Sequence, residues 1–205
     1  LYLDAIALRV RMDKRVTSVP VLVALAVLAD GQKQLVALEM CGSESHEAWK
    51  GFLDGLVERG LRAPVLCIVD GNAGLRRALS TVWSKTPVQR CAVHKLRNLE
   101  RKAPKHALAE VKADFHEIVY AESEAAARRG HAAFVSKWKR RCPGVVRSLE
   151  EAGDELFTMY RFPKQHWKNI RTTNVIERLN GEFRRRVKTQ GSLPSEDAAL
   201  VLLFG

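Results

Sequence analysis

Residues 63–69, APVLCIV, form a short unbroken apolar run that ends directly in Asp70-Gly71. A run of this length without polar alternation reads as a strand buried on both faces, which requires helices on either side of a parallel sheet. The flanking sequence supplies them. Trp49, Phe52, Leu53, Leu56 and Val57 recur at helical spacing before it, with Ser43 and Ser45 as candidate caps and Gly60 as the stop. Leu75, Ala78, Leu79, Val82 and Trp83 do the same after it, and Val88 to Val93 then reads as a further strand closing with Cys91 and His94. The enclosed strand delivers an acid at its carboxyl end, the edge at which open α/β sheets bind ligands.

The start of the chain carries strand signals. LYLDAIALRV alternates, with Tyr2, Asp4, Ile6 and Leu8 on one face and Leu3, Ala5 and Ala7 on the other. MDKR reads as a turn, Val16 to Ala29 as a long strand, Asp30-Gly31 as a hairpin turn and Gln34 to Met40 as a third strand. Together they make a three-stranded antiparallel meander. Asp4 is out of place on a largely apolar strand, because burying a lone carboxylate is costly unless a solvent-filled edge or a cation meets it.

Strand, strand, strand, helix, strand, helix, strand is complete by residue 94. From Leu96 to about Tyr160 the pattern turns helical, with Leu108, Val111, Phe115 and Val119 on one stripe and Ala133, Phe134 and Trp138 on another. Pro143 sets off a last helix through Val146, Leu149, Leu156 and Phe157. This segment separates Asp70 from Glu177 by 107 residues, far more than an ordinary connection, and reads as a helical insertion with a role of its own. The expected organisation is a first core part over 1–95, an all-α insertion over 96–165 and C-terminal core helices over 166–205.

The stretch RTTNVIERLNGEFRRRVK, residues 171–188, opens with Thr172, Thr173 and Asn174, whose side-chain oxygens suit a helix start. Ile176, Leu179, Phe183 and Val187 then share a stripe that can face a core. Glu177 falls on its flank beside Gly181, Arg184 and Lys188, so the helix presents a carboxylate, a gap and then positive charge, as a helix holding a metal against a phosphate backbone would. A second reading stands beside this one, since Asn174 followed by Glu177 also matches a capping box.

Charge is unevenly placed along the 205 residues, whose net value is +11. Residues 161–190 hold nine Lys/Arg against two Glu, and residues 85–105 hold seven against one, leaving the remainder slightly acidic. Charge gathered this way points to a polyanion partner, the alternative being a solvated basic face. The longest apolar run, residues 19–29, has 11 residues including Pro20, short of the roughly 20 a membrane span needs. A soluble protein without a signal peptide is expected. Cys41, Cys67, Cys91 and Cys142 are widely spaced with no CxxC pair, which argues against a disulfide scaffold and for a reducing cytoplasm. With Leu1 first and AALVLLFG last, the chain is expected to be a piece of a longer protein with a truncated last helix.

In a five-stranded mixed sheet ordered 3-2-1-4-5 the first and fourth strands are neighbours, and Asp4 and Asp70 become adjacent. Two carboxylates so placed repel each other unless a divalent cation neutralises them, and oxygen-only ligands favour Mg²⁺ or Mn²⁺ over zinc. LDA at Asp4, VDGNAGL at Asp70, VQRCAVHKLRN around Cys91 and His94, and IRTTNVIERLNGEFRRR around Glu177 together resemble the mutator-type (MULE-like) transposases of bacterial insertion sequences, over essentially the whole chain. The resemblance implies an α/β, RNase H-like catalytic domain of the DDE class with flanking helices, interrupted by an all-α insertion. It implies Asp4, Asp70 and Glu177 as a metal-binding triad for two Mg²⁺ or Mn²⁺ ions, and Cys91 with His94 as the C-x-x-H pair that follows the second aspartate.

Such a site would hydrolyse a phosphodiester at a transposon end and then use the freed 3′-hydroxyl to attack target DNA. The implied partner is double-stranded DNA, both transposon ends and target, with a homodimer or higher oligomer for the intact protein. The expected place is the bacterial cytoplasm, at the nucleoid and away from any membrane. Arg97, Arg101, Lys102, Arg171, Arg178, Arg184, Arg185, Arg186 and Lys188 are the candidate phosphate contacts. For His94 two readings stand level, a buried structural histidine and a contact to the scissile phosphate, since C-x-x-H alone falls short of the four ligands of structural zinc. Trp138 or Trp167 is a candidate for stacking on an unpaired base, the alternative being core packing. Competing functions are another RNase H-like nuclease, and an inactive or domesticated transposase-derived DNA-binding protein. The TTNxIERLN block speaks against the first and the presence of all three acids against the second.

Overall fold

The alternating start of the chain forms β1 (Tyr2–Met12), which pairs antiparallel with β2 (Arg15–Val27), itself antiparallel to β3 (Lys33–Met40). The computed structural model describes residues 1–12, 15–188, 193, 195, 198 and 201. The turn expected at MDKR therefore falls in part on residues 13 and 14, outside the described residues. The Asp30-Gly31 turn is present, with Gly31 at φ +85° and Asp30 Oδ1 accepting from the Gln32 amide at 2.9 Å. Pairing of β2 with β3 slips between Ala24 and Leu25, whose partners are Ala37 and Leu35, so a bulge bends the hairpin.

Helix α1 (His46–Glu58) starts where Ser45 Oγ accepts from the Ala48 amide at 3.1 Å, and it buries Trp49, Phe52, Leu53 and Leu56. Val57, expected on that stripe, is exposed, because the buried face is narrower than the apolar one. The apolar run 63–69 contributes β4 (Cys67–Val69) only in its last three residues. Helix α2 (Ala73–Val82) follows, capped by Asn72, and then β5 (Val88–Arg90). The strands make one five-stranded mixed sheet in the order β3-β2-β1-β4-β5, an α/β architecture consistent with the RNase H-like expectation.

Beyond β5 come α3 (Ala92–Glu100), α4 (Leu108–Val119), α5 (Glu124–Arg141), α6 (Pro143–Glu150), α7 (Lys164–Ile170) and α8 (Asn174–Lys188), with single-turn 3₁₀ helices at Lys105–Ala107, Gly153–Leu156 and Thr158–Arg161. The chain divides into two compact units. One comprises Leu1–Cys67, Asn72–Thr86 and Asn174–Gly205; the other comprises Ile68–Gly71 and Pro87–Thr173.

In the first unit α1 and α2 meet closely at their starts, where a Cβ on Gly74 would lie 2.8 Å from the Glu44 carbonyl oxygen. Leu193 also joins the sheet there, its amide donating to the Arg9 carbonyl at 2.9 Å and its carbonyl accepting from the Arg11 amide at 2.8 Å. In the second unit α3 to α6 enclose a separate apolar core that includes Leu99, Val111, Phe115, Phe134, Trp138 and Leu149. Each such side chain contributes on the order of 1.5–3 kcal/mol on burial, so this segment has a core of its own. Trp138 belongs to it fully, with its indole donating to Asp114 Oδ2 at 2.7 Å, so it is a packing residue. The edge of β5 is covered by the 3₁₀ turns through side chains. Gln89 Oε1 accepts from the Met159 amide at 2.6 Å, and Thr158 Oγ1 donates to the Val88 carbonyl at 2.7 Å.

Candidate active site

Asp4 lies on the buried face of β1 between Tyr2 and Ile6 and is only 8% exposed. Within the same unit α8 packs on β1, and Asn180 Nδ2 donates to Asp4 Oδ2 at 2.7 Å. Asn180 is 2% exposed, and its other amide atom, Oδ1, is buried without a hydrogen-bond partner. Glu177 is half-buried one turn earlier on the same helix. The inward stripe of α8 is Ile176, Asn180 and Phe183, which corrects the expectation that Leu179 faces the core; Leu179 is half-buried. Steps of four then three residues are as helical as three then four, so the signal for Asn180 was present and was hidden by its polarity. The side chain of Val187 lies outside the described residues.

The buried carboxylate of Asp4 and the unpartnered buried amide oxygen of Asn180 beside it are hard oxygen donors. That set fits Mg²⁺ or Mn²⁺, which prefer carboxylate and carbonyl oxygens, better than a softer metal.

Asp70 directly follows β4, at its carboxyl end, as expected. Gly71 after it has φ +103°, and a Cβ there would fall 1.7 Å from Arg90 Nη1. Both facts require glycine. Arg90 is 1% exposed and is held bidentately by Glu151, at 2.8 and 3.1 Å, with Glu155 Oε2 at 3.3 Å. Lys95, also 1% exposed, donates to Glu151 Oε2 and to the Ser148 carbonyl, both at 2.6 Å. Burial opposes ionisation of Glu151, but hydrogen bonds from Arg90 and Lys95 outweigh it and bring its pKa down to about 2. Two of the seven cations in the basic stretch 85–105 are thus neutralised inside the unit. Nothing in the spacing of Arg90 and Glu151, 61 residues apart, announced this pairing.

The strand expected over Val88–Val93 ends at Arg90 because Cys91 caps α3, its sulfur accepting from the His94 amide at 3.5 Å. The x-x spacing of C-x-x-H is therefore the distance from a helix cap to the third residue of the first turn. Thr173 completes the sulfur's environment with its amide at 3.3 Å and its hydroxyl at 3.2 Å. Burial alone would push the Cys91 thiol up, but hydrogen bonds from His94 and Thr173 prevail and hold it below its ordinary value. His94 is half-buried with Nδ1 3.3 Å from the Thr173 hydroxyl, which fixes the ring by the Cys91 side of the helix.

Arg97, Arg101 and Lys102 are exposed in the second unit. Arg171 is half-buried, its guanidinium 4.4 Å over the Tyr120 ring and its Nε buried without a hydrogen-bond partner. On α8, in the first unit, Arg178, Arg184, Arg185 and Arg186 are exposed, with Arg185 held by Glu182 at 2.8 and 3.0 Å. The side chain of Lys188 lies outside the described residues. Trp167 is half-buried, its indole donating to the Phe162 carbonyl at 2.8 Å and its ring meeting the edge of Tyr160. Among the described residues no helix is long and apolar enough to cross a membrane. Cys41, Cys67, Cys91 and Cys142 are free thiols.

The model of the family described as "Transposase, Mutator family" matches residues 1–204. The chain is 37% identical over 207 residues to the transposase for insertion sequence element ISRM5 of Rhizobium meliloti, covering 99% of this chain and 51% of that protein. It is 36% identical over 204 residues to the transposase for IS6120 of Mycolicibacterium smegmatis, covering 100% of this chain and 62% of that protein. A third relative, the transposase for IS406 of Burkholderia multivorans, is 33% identical over 208 residues, which is 99% of this chain and 53% of that protein. The chain thus spans between half and two thirds of the length of these relatives. On the match along nearly its entire length, the chain belongs to the Mutator family of transposases.

Proposed function

We propose that this chain is the catalytic domain of a DNA transposase of the DDE class, which hydrolyses the phosphodiester at a transposon end and then joins the freed 3′-hydroxyl to target DNA. The observation that carries the reading is Asp4: a carboxylate buried on an apolar strand, hydrogen-bonded by a neutral amide, in a chain of transposase kinship. Neither feature serves packing, since an apolar residue on β1 would stabilise the sheet at less cost.

In this reading Asp4, Asp70 and Glu177 hold two divalent cations, Mg²⁺ or Mn²⁺. Bound there, such ions neutralise the carboxylates, raise the nucleophilicity of a water or 3′-hydroxyl and offset charge on the leaving oxygen. The chain's own residues do the rest. Asp4 is kept in one orientation by Asn180, and Asp70 sits on a turn whose following glycine is closed against Arg90. His94, fixed by Thr173 and the Cys91 cap, is the group proposed to meet the substrate phosphate. Arg97, Arg101, Lys102, Arg178, Arg184 and Arg186 are proposed to hold DNA phosphates, with Arg171 contributing its outer guanidinium edge. A homodimer or higher oligomer of the intact protein follows from the need to hold two transposon ends together.

Calorimetric titration with Mn²⁺ tests the metal assignment. Asp4→Asn and Asp70→Asn are each expected to weaken binding at least tenfold while the circular dichroism spectrum stays that of the native chain. Unaltered Mn²⁺ affinity in both variants would remove these acids from the site.

A further inference from the structure

Asn180 has no place in a triad of carboxylates, yet it is the polar residue most fully enclosed beside Asp4 in the first unit. It occupies the middle of the inward stripe of α8, between Ile176 and Phe183, where helix periodicity calls for an apolar side chain. Its two amide atoms are treated differently. Nδ2 donates to Asp4 Oδ2 at 2.7 Å, the only amide orientation compatible with an ionised carboxylate, because the reverse would set two acceptors against each other. That bond fixes where Oδ1 lies, and Oδ1 is buried with no donor to receive. A buried carbonyl oxygen without a partner is costly, and native structures seldom tolerate one without a ligand, ion or water to meet it. An amide oxygen is also a good hard ligand for Mg²⁺, Mn²⁺ or Ca²⁺.

We propose that Asn180 is a further oxygen ligand at the Asp4 cation site, its Nδ2 holding Asp4 in orientation while its Oδ1 binds the cation directly or through one of the cation's waters. The inference rests on the metal reading of Asp4 and adds a residue to it. Glu177, one turn earlier on α8, places a second carboxylate on the same helix. A helix that carried Glu177 alone would need no polar group in its buried stripe.

The test compares the native chain, Asn180→Ala and Asn180→Asp for Mn²⁺ binding by calorimetry and for the rise in Tm on adding Mn²⁺. Asn180→Ala is expected to weaken Mn²⁺ binding tenfold or more. Asn180→Asp places a carboxylate against Asp4, so its metal-free form is expected to melt below the native chain. Because that variant keeps an oxygen in the ligand position, Mn²⁺ is expected to bind within threefold of native affinity or tighter and to restore the lost Tm. This rescue separates a ligand from a residue that merely supports the helix. Native Mn²⁺ affinity in Asn180→Ala would overturn the proposal and leave Oδ1 to water. Equal weakening in both variants would also overturn it, reducing Asn180 to a support for Asp4. Should Asn180→Ala fail to fold, Asn180→Asp alone decides, by whether Mn²⁺ restores its Tm. If the native chain itself binds no Mn²⁺, or binds it independently of Asp4, the metal reading fails and this inference with it; an Asp4-dependent site indifferent to Asn180 sinks the inference alone.

Discussion

Replacing Glu151 by alanine removes the carboxylate that joins two buried cations, Arg90 and Lys95, each 1% exposed. Breaking a buried pair by deleting one partner costs about 3–5 kcal/mol, because the remaining charge stays desolvated. Two features reduce that figure here: Glu155 still reaches Arg90 at 3.3 Å, and the Glu151 side chain is 47% exposed, so water can enter the gap. A loss of about 2–3 kcal/mol is expected, which for a chain of this size lowers Tm by ~5–10 °C. Urea unfolding followed by circular dichroism measures it directly. The pH dependence supplies a second signature. The Glu151 pKa is about 2 in the fold against an ordinary 4.5, so its contribution is fully present above pH 4.5 and is lost as pH falls toward 2. Glu151→Gln should therefore flatten the acid limb of the stability profile. Glu110, whose pKa is also lowered to about 2 by Arg141 and Lys137, pairs with cations that are themselves 48% and 37% exposed rather than buried, and Glu110→Gln should change that limb much less. A change of under about 0.5 kcal/mol in Glu151→Ala, as for an ordinary surface substitution, would refute the network's role.

Gly71→Ala should destabilise the chain by at least ~2 kcal/mol, since it combines a positive φ with a Cβ placed on the Arg90 guanidinium, and thermal denaturation checks this. Cys91→Ala leaves the Thr173 amide and hydroxyl and the His94 amide without their shared acceptor and should lose about 1–3 kcal/mol, whereas Cys91→Ser should recover most of it; equal losses would show the sulfur's bonds to be incidental. In filter binding to duplex DNA across a salt series, Arg184→Ala should lower the slope of log K against log salt by roughly one contact, and Arg185→Ala by less, because Glu182 already holds that guanidinium.

Much of the sheet was legible because its signals are local. Alternation in β1, the continuous apolar run before Asp70 and the capping serine before α1 each depend on residues within a few positions of one another. The observed order β3-β2-β1-β4-β5 is the one expected for these elements, with the first and fourth strands as neighbours. Strand lengths were less legible. β4 and β5 keep only three residues each, since Cys91 leaves the sheet to cap α3 and most of the apolar run precedes β4 without joining it. The buried face of α8 was misread by one residue because Asn180 is polar, although its spacing from Ile176 and Phe183 is helical. The basic stretch 85–105 points to a polyanion partner or a solvated basic face, yet two of its cations, Arg90 and Lys95, pair with Glu151, 61 and 56 residues away, a contact that no local pattern encodes. Trp138 was resolved in favour of the core by its full burial and its bond to Asp114.

The most direct test of transposase catalysis is a divalent-ion-dependent assay with labelled transposon-end duplex and plasmid target, run with the intact protein carrying this domain and with its Asp70→Asn variant. The native protein is expected to nick the end and join the 3′-hydroxyl to target in Mg²⁺ or Mn²⁺, and the variant to lose both with its fold and DNA binding retained. Joining that persists in Asp70→Asn, or native DNA binding with no cleavage in either ion, would contradict the catalytic reading; the second result would describe a DNA-binding relative that has kept the fold without the chemistry.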